Sequence, residues 1–141
     1  MTSWRFMLDT DTVSFLLRGE GNAGANLTAH APSQVCISAI TLSELRFGAD
    51  KRASKRLHKL IDTFTASVEV ASFDVEAAAA FGRICSGLAS AGKPIGVLDT
   101  LIAAHALSLD LTLVTNNTKH FSRVRGLKTR NWLSTAPNGD D

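Results

Sequence analysis

The chain has no tyrosine, only two cysteines, three prolines and no long apolar run, and each scarcity excludes something. Cys36 and Cys85 are too few for a disulfide framework and stand at no metal-ligand spacing. Both lie in apolar stretches and read as buried free thiols. No segment approaches the roughly 20 apolar residues that cross a bilayer. The opening MTSWRFMLDTD lacks the apolar region and cleavage site of a signal peptide. The expectation is a cytoplasmic protein with no membrane partner. Without tyrosine, stacking on bases would fall to Trp or Phe, and Trp4 and Trp132 read as structural. A net charge of +2 neither requires nor excludes nucleic acid, so that argument rests on local patches.

What is present is an alternation of short apolar runs and helical periodicity in a chain of 141 residues, enough for one core without staples. The run at residues 4–8 stops at Asp9 and gives way to a helical pattern through Val13, Leu16 and Leu17. A short helix is expected at 25–31, a buried strand at 34–38 and a helix at 41–48 carrying Glu44. A charged amphipathic helix at 49–64 turns Leu57, Leu60, Ile61 and Phe64 inward, and a third strand follows at 68–70. Asp74 caps a long helix that Gly92 and Pro94 stop, with one side kept slim by the alanines at 77–80. A helix beginning near Asp99 leads to a strand at 111–115, the turn TNNTKHF and a last strand at 127–130. The pattern implies an α/β fold, a central, mostly parallel sheet with helices on both faces. One domain is expected over residues 1–135, with a disordered tail at 136–141.

In open parallel sheets, ligands bind beyond the carboxyl ends of the strands. Asp9, Asp11 and Asn117 fall just past such ends, and Glu44 and Asp99 lie on helices entered from them. Alone, each has an ordinary explanation: a helix cap, a turn, a solvated helix acid. Together, four carboxylates repel one another unless a cation joins them. Oxygen donors suit Mg²⁺ or Mn²⁺, which activate bound water and offset charge on a phosphodiester. Thr115 and Ser38 end strands nearby and could hydrogen-bond a ligand or satisfy the backbone. His105 lies on an apolar face and reads as core; His120 is nearer the acids. Arg52, Lys55, Arg56 and Lys59 form a basic stripe beside Lys51, and Lys119, Arg123, Arg125, Lys128 and Arg130 form a second basic region. Either could contact RNA phosphates or be a solvated face.

The stretches FMLDTDTVSFLL, ISAITLSELRFGA, FDVEAAAAFGRICSGLASAGKPIGVLDTLIAAHAL and LTLVTNNTKHFSRVRGLKTRNW resemble a PIN-domain ribonuclease of the VapC toxin type along nearly the whole chain. The resemblance implies a PIN-like fold and a metal-binding core of Asp9, Glu44 and Asp99. Asn117 falls where many members carry a fourth acid, and Asp11 where the pattern usually has Asn. The resemblance further implies a Mg²⁺- or Mn²⁺-dependent endoribonuclease acting on transfer RNA or a ribosomal RNA loop. Its implied partners are a VapB-type antitoxin whose tail covers the groove, a second copy in a homodimer, and hence a toxin–antitoxin hetero-oligomer. Two other readings fit parts of the sequence. DTDTV resembles the haloacid-dehalogenase phosphatase pattern, with Asp9 as nucleophile, Asp11 as acid, Ser38 or Thr41 on phosphate and Lys93 in support, but Asn116 and Asn117 replace the acidic pair that family needs. A non-catalytic RNA- or protein-binding module would explain the missing fourth acid and leave three intact acids unexplained.

Overall fold

Strand β1 (Phe6–Leu8) lies at the centre of a five-stranded sheet ordered β3-β2-β1-β4-β5, with β2 at Val35–Ser38, β3 at Glu69–Ala71, β4 at Thr112–Val114 and β5 at Thr129–Arg130. The computed structural model describes residues 2–134 and 136–137; of the tail expected at 136–141, all but those last two lie outside the described residues. Every strand pairing is parallel, with Leu8 opposite Ile37 on one side and Val114 on the other. The sequence suggested a mostly parallel sheet; the described strands are wholly so.

Parallel strands need crossovers, and these are helices: α1 (Thr10–Leu17), α2 (Ala23–Thr28), α3 (Ala39–Lys51), α4 (Lys55–Thr65), α5 (Val75–Ser90), α6 (Val97–Ser108) and α7 (Thr118–Phe121). Successive strand residues point to opposite faces, so the sheet separates two cores. Phe6, Leu8, Val35, Ile37 and Val114 pack with Leu45, Ile61 and Phe64 of α3 and α4 and with Trp132. Met7, Cys36 and Leu113 pack with Leu88, Ile102, Ala106 and Phe121 of α5, α6 and α7. Burying each such large side chain contributes about 1.5–3 kcal/mol. Of the alanines expected to keep one side of α5 slim, Ala77 and Ala80 are buried in the chain's own packing, where α5 runs along α6, while Ala78 and Ala79 are exposed. Trp132 is structural: its ring stacks on His30 at 5.1 Å between centroids and tilts against Phe6.

The helix expected at 49–64 is two elements. α3 continues to Lys51, then Arg52, Ala53 (φ 49°) and Ser54 turn the chain, and the Ser54 hydroxyl caps α4 by accepting the Leu57 N–H at 3.0 Å. Charged, polar residues in this turn gave no apolar break to read. TNNTKHF is likewise not only a turn, because buried Phe121 anchors the four-residue helix α7. Cys36 is buried as expected, whereas Cys85 on α5 is only half-buried.

Candidate functional site

The chain adds β2 and β3 on one side of β1 and then returns to place β4 on the other. The gap between β1 and β4 at their carboxyl ends is therefore the switch point where such sheets bind ligands. Asp9 leaves β1 there. Its N–H donates to the Val114 carbonyl at 2.9 Å, which also accepts the Thr12 hydroxyl at 3.1 Å. Its carboxylate caps α1 by accepting the Thr12 N–H at 2.9 Å and takes a further hydrogen bond from the Thr115 hydroxyl. Asp9 is only 5% exposed. Burial pushes its pKa up to about 6; the bonds from Thr115 and Thr12 oppose that rise, and the charge of Asp11 adds to it.

Asp99 is not a helix cap. Gly96 holds that position at φ 94°, in the region glycine favours, so α6 begins at Val97 and Asp99 is its third residue. It is half-buried, and burial raises its pKa; the charge and hydrogen bond of His120 hold it down, while Asp11 pushes it up. His120 Nε2 lies 3.2 Å from Asp99 Oδ2 and 3.0 Å from the Ile95 carbonyl oxygen. Exposed Asp11, in the first turn of α1, thus acts on both Asp9 and Asp99. Glu44, on the second turn of α3, accepts the Thr10 hydroxyl at 2.7 Å. It shares a cleft of about 450 Å³ with Asp99, walled by Ile95, Gly96, Val97 and Leu98.

Three acids therefore feel one field, and the fourth shares a cleft with one of them. Among the described residues no Lys or Arg forms an ion pair with Asp9, Asp11, Glu44 or Asp99. Nor are three His, Cys, Asp or Glu side chains of that set drawn together into a ready-made metal cluster. A set of acids paired with no Lys or Arg, offering oxygen donors, suits a hard divalent cation and not a soft one.

The remaining expected residues divide. Thr115 is at the site but is spent on it, bonding Asp9 and accepting the Asn117 N–H at 3.0 Å. Ser38 is turned away from the acids: its hydroxyl accepts the Ile40 N–H at 3.0 Å to cap α3 and pairs with buried His105 Nδ1 at 2.8 Å. His105 is core as expected, its pKa lowered by burial. Asn117 is exposed and precedes α7 without a side-chain capping bond. The break after α3 splits the first basic stripe. Arg52 and Arg56 line a second cavity of about 470 Å³ that reaches Glu44, floored by Leu45, Leu57 and Ile61, while Lys55 lies exposed on α4. Of the second region, Lys119 is exposed, Arg123 donates to the Pro94 carbonyl at 3.2 Å and Lys128 pairs with Asp110 at 3.5 Å.

The chain matches the PIN domain family over residues 6–127. It is 38% identical over 129 residues to the tRNA(fMet)-specific endonuclease VapC of Shigella flexneri, covering 91% of this chain and 98% of that one. It is 35% identical over 130 residues to ribonuclease VapC2 of Haemophilus influenzae, covering 92% and 98%. This chain is a VapC-type PIN-domain protein. Its fold also matches a chain of the DNA-bound VapBC crystal structure from Salmonella typhimurium, with a TM-score of 0.87 and 37% identity over 92% of this chain and 98% of that one. PIN nucleases in general depend on a divalent metal ion. The VapC assignment sets aside the phosphatase reading, whose alternative phosphate-binding hydroxyls, Ser38 and Thr41, are both buried, with Ser38 bonded to His105.

Within this VapC fold, Thr10 and Thr12, which hold Glu44 and the Asp9 turn, have no role in the sequence reading, and His120, read there only as nearer the acids, is in contact with Asp99. Threonines directly after a strand-end aspartate are the signal for the first two. His120 had none, because its role depends on α7 being a helix.

Proposed function

We propose that this protein is the toxin of a type II toxin–antitoxin pair, a Mg²⁺- or Mn²⁺-dependent endoribonuclease that hydrolyses phosphodiester bonds in structured RNA, either transfer RNA or a ribosomal RNA loop. The observation that carries this reading is the set of Asp9, Asp11, Asp99 and Glu44, paired with no Lys or Arg among the described residues, at the switch point of a VapC-type fold. The names of its relatives, an endonuclease and a ribonuclease, support the reaction class.

Asp9, Asp99 and Glu44 would hold the ion, with Asp11 assisting directly or through water. A bound divalent ion supplies an activated water and offsets the negative charge that develops on the phosphodiester. The chain's own part is to keep its acids aimed. Thr12 and Thr115 fix Asp9, Thr10 fixes Glu44, and His120 meets Asp99. Exposed Asn117, past the end of β4, contributes an amide where a carboxylate would bring more charge, and it contacts substrate or bound water. Arg52 and Arg56, in the cavity that reaches Glu44, neutralise RNA phosphates leading to the cleft, with Lys55 and Lys119 adding exposed charge. Arg123 serves the loop before α6 first, through the Pro94 carbonyl. The partners are a VapB-type antitoxin and a second copy of the chain, as a homodimer within a hetero-oligomer; the VapBC assembly of the Salmonella relative supports the antitoxin.

The test is incubation of total cellular RNA with purified, antitoxin-free protein and Mn²⁺ or Mg²⁺, beside EDTA and Asp99→Ala or Asp9→Ala controls. Discrete fragments are expected, absent in EDTA and in both folded variants. Variants that cut as the wild type does would sink the assignment.

A further inference from the structure

α7 is only four residues long, yet it meets the cleft at two points. Phe121 is 1% exposed and pins the helix into the core behind the sheet. Its neighbour His120 faces the other way, towards the start of α6. There Nε2 lies within hydrogen-bonding distance of two acceptors from one segment, the Ile95 carbonyl and Asp99 Oδ2. Two residues past the end of α7, Arg123 donates to the Pro94 carbonyl, so the loop leading into α6 is tied at two points, by His120 of α7 and by the turn that follows it. That loop needs tying, because it ends in Gly96, whose positive φ is set by the backbone and not by a capping side chain.

Both neighbours of Nε2 are oxygens, and the Ile95 carbonyl can only accept. Nε2 must therefore carry the hydrogen, and it does so in either charge state of the ring. The contact on Asp99 uses Oδ2 and leaves Oδ1 free.

We propose that His120 is a positioning residue for Asp99. By donating from Nε2 to Oδ2 and to the Ile95 carbonyl, it fixes the rotation of the Asp99 carboxylate and turns Oδ1 towards the divalent cation. This rests on the reading of Asp99 as a metal ligand. Partners that orient a ligand in this way typically change metal affinity by 10–100-fold when removed.

The test is calorimetric titration of the full chain with MnCl₂. His120→Leu removes the donor and keeps the bulk, and His120→Gln places an amide N–H near the position of Nε2. The expected result is a roughly tenfold or greater loss of Mn²⁺ affinity in His120→Leu with Tm held, and recovery to within about threefold of wild type in His120→Gln. Wild-type affinity in His120→Leu, or equal losses in both variants, would overturn the proposal. Asp99→Asn separates the two readings. If it also binds Mn²⁺ as the wild type does, the metal assignment of Asp99 fails, whereas a loss there with none in His120→Leu removes only the role of His120. Should His120→Leu lose its fold, ring ¹⁵N shifts of the wild type decide. A protonated Nε2 that shifts on adding Mg²⁺, and does not shift in Asp99→Asn, supports the proposal; a ring protonated only at Nδ1 overturns it.

Discussion

At Asp9 a helix cap and a proposed metal ligand are the same carboxylate, and that double use can be measured. Its pKa is raised by burial to about 6, so the metal-free fold favours its protonated form. For a carboxyl raised in this way, the stability contribution is complete below its ordinary value of 3.8 and is lost as pH rises through about 6. Asp9→Asn keeps an acceptor for the Thr12 N–H and removes the charge. In EDTA, the variant should gain on the wild type as pH rises from about 4 to 8, by up to about 3 kcal/mol, read from urea unfolding. Buried His105 pulls the other way, since its lowered pKa costs stability as pH falls, but it is common to both proteins and cancels in the difference. A difference that stays flat across this range would mean that Asp9 is not raised. Mn²⁺ should reverse the ranking near neutral pH, because only the wild type has the anion that the ion needs.

At the scale of elements, the turn between α3 and α4 carries the clearest strain. Ala53 sits at φ 49°, a conformation that costs a non-glycine residue roughly 1–2 kcal/mol. Glycine relieves that and gives back about 0.4–1 kcal/mol through a looser unfolded chain. Ala53→Gly should therefore raise stability by about 0.5–1 kcal/mol, seen as a higher urea midpoint at unchanged slope. The same turn shows where the sequence was readable and where it was not. Strands β1, β2 and β4 announced themselves as short apolar runs, and α5 by its cap and its glycine-then-proline stop, because those signals are local. The α3–α4 break was hidden among polar residues that suit a helix as well as a turn. The site was legible as a set of strand-end acids, since topology alone places Asp9 and Asp99 together. The hydrogen bonds that aim them were not legible. Ser38 looked equivalent to Thr115 in sequence, both ending strands, yet one faces His105 and the other Asp9. The difference lies in which helix packs over each strand end, and local sequence does not carry it.

For the whole molecule, binding of a divalent ion to the folded state alone should raise thermal stability by mass action. At about 100 times Kd the gain is about 2.7 kcal/mol, and for a chain of this size that is roughly 5–10 °C in Tm. Scanning calorimetry with and without Mn²⁺ should show this rise in the wild type and its absence in Asp99→Ala; equal rises in both would place the ion elsewhere. The first strand to be synthesised is fully paired only once β4 has been made, because β4 is its second neighbour and the bond from Thr12 to Val114 spans 102 residues. Asp9 leaves the ribosome early but meets Thr115 and the Val114 carbonyl only when most of the chain has been made. Such long-range closure is slow and all-or-none. If the acids act as proposed, a chain still being translated is expected to be inert, so that its message and ribosome are spared until release. A chain cut short before β4 would be harmless to the cell that made it.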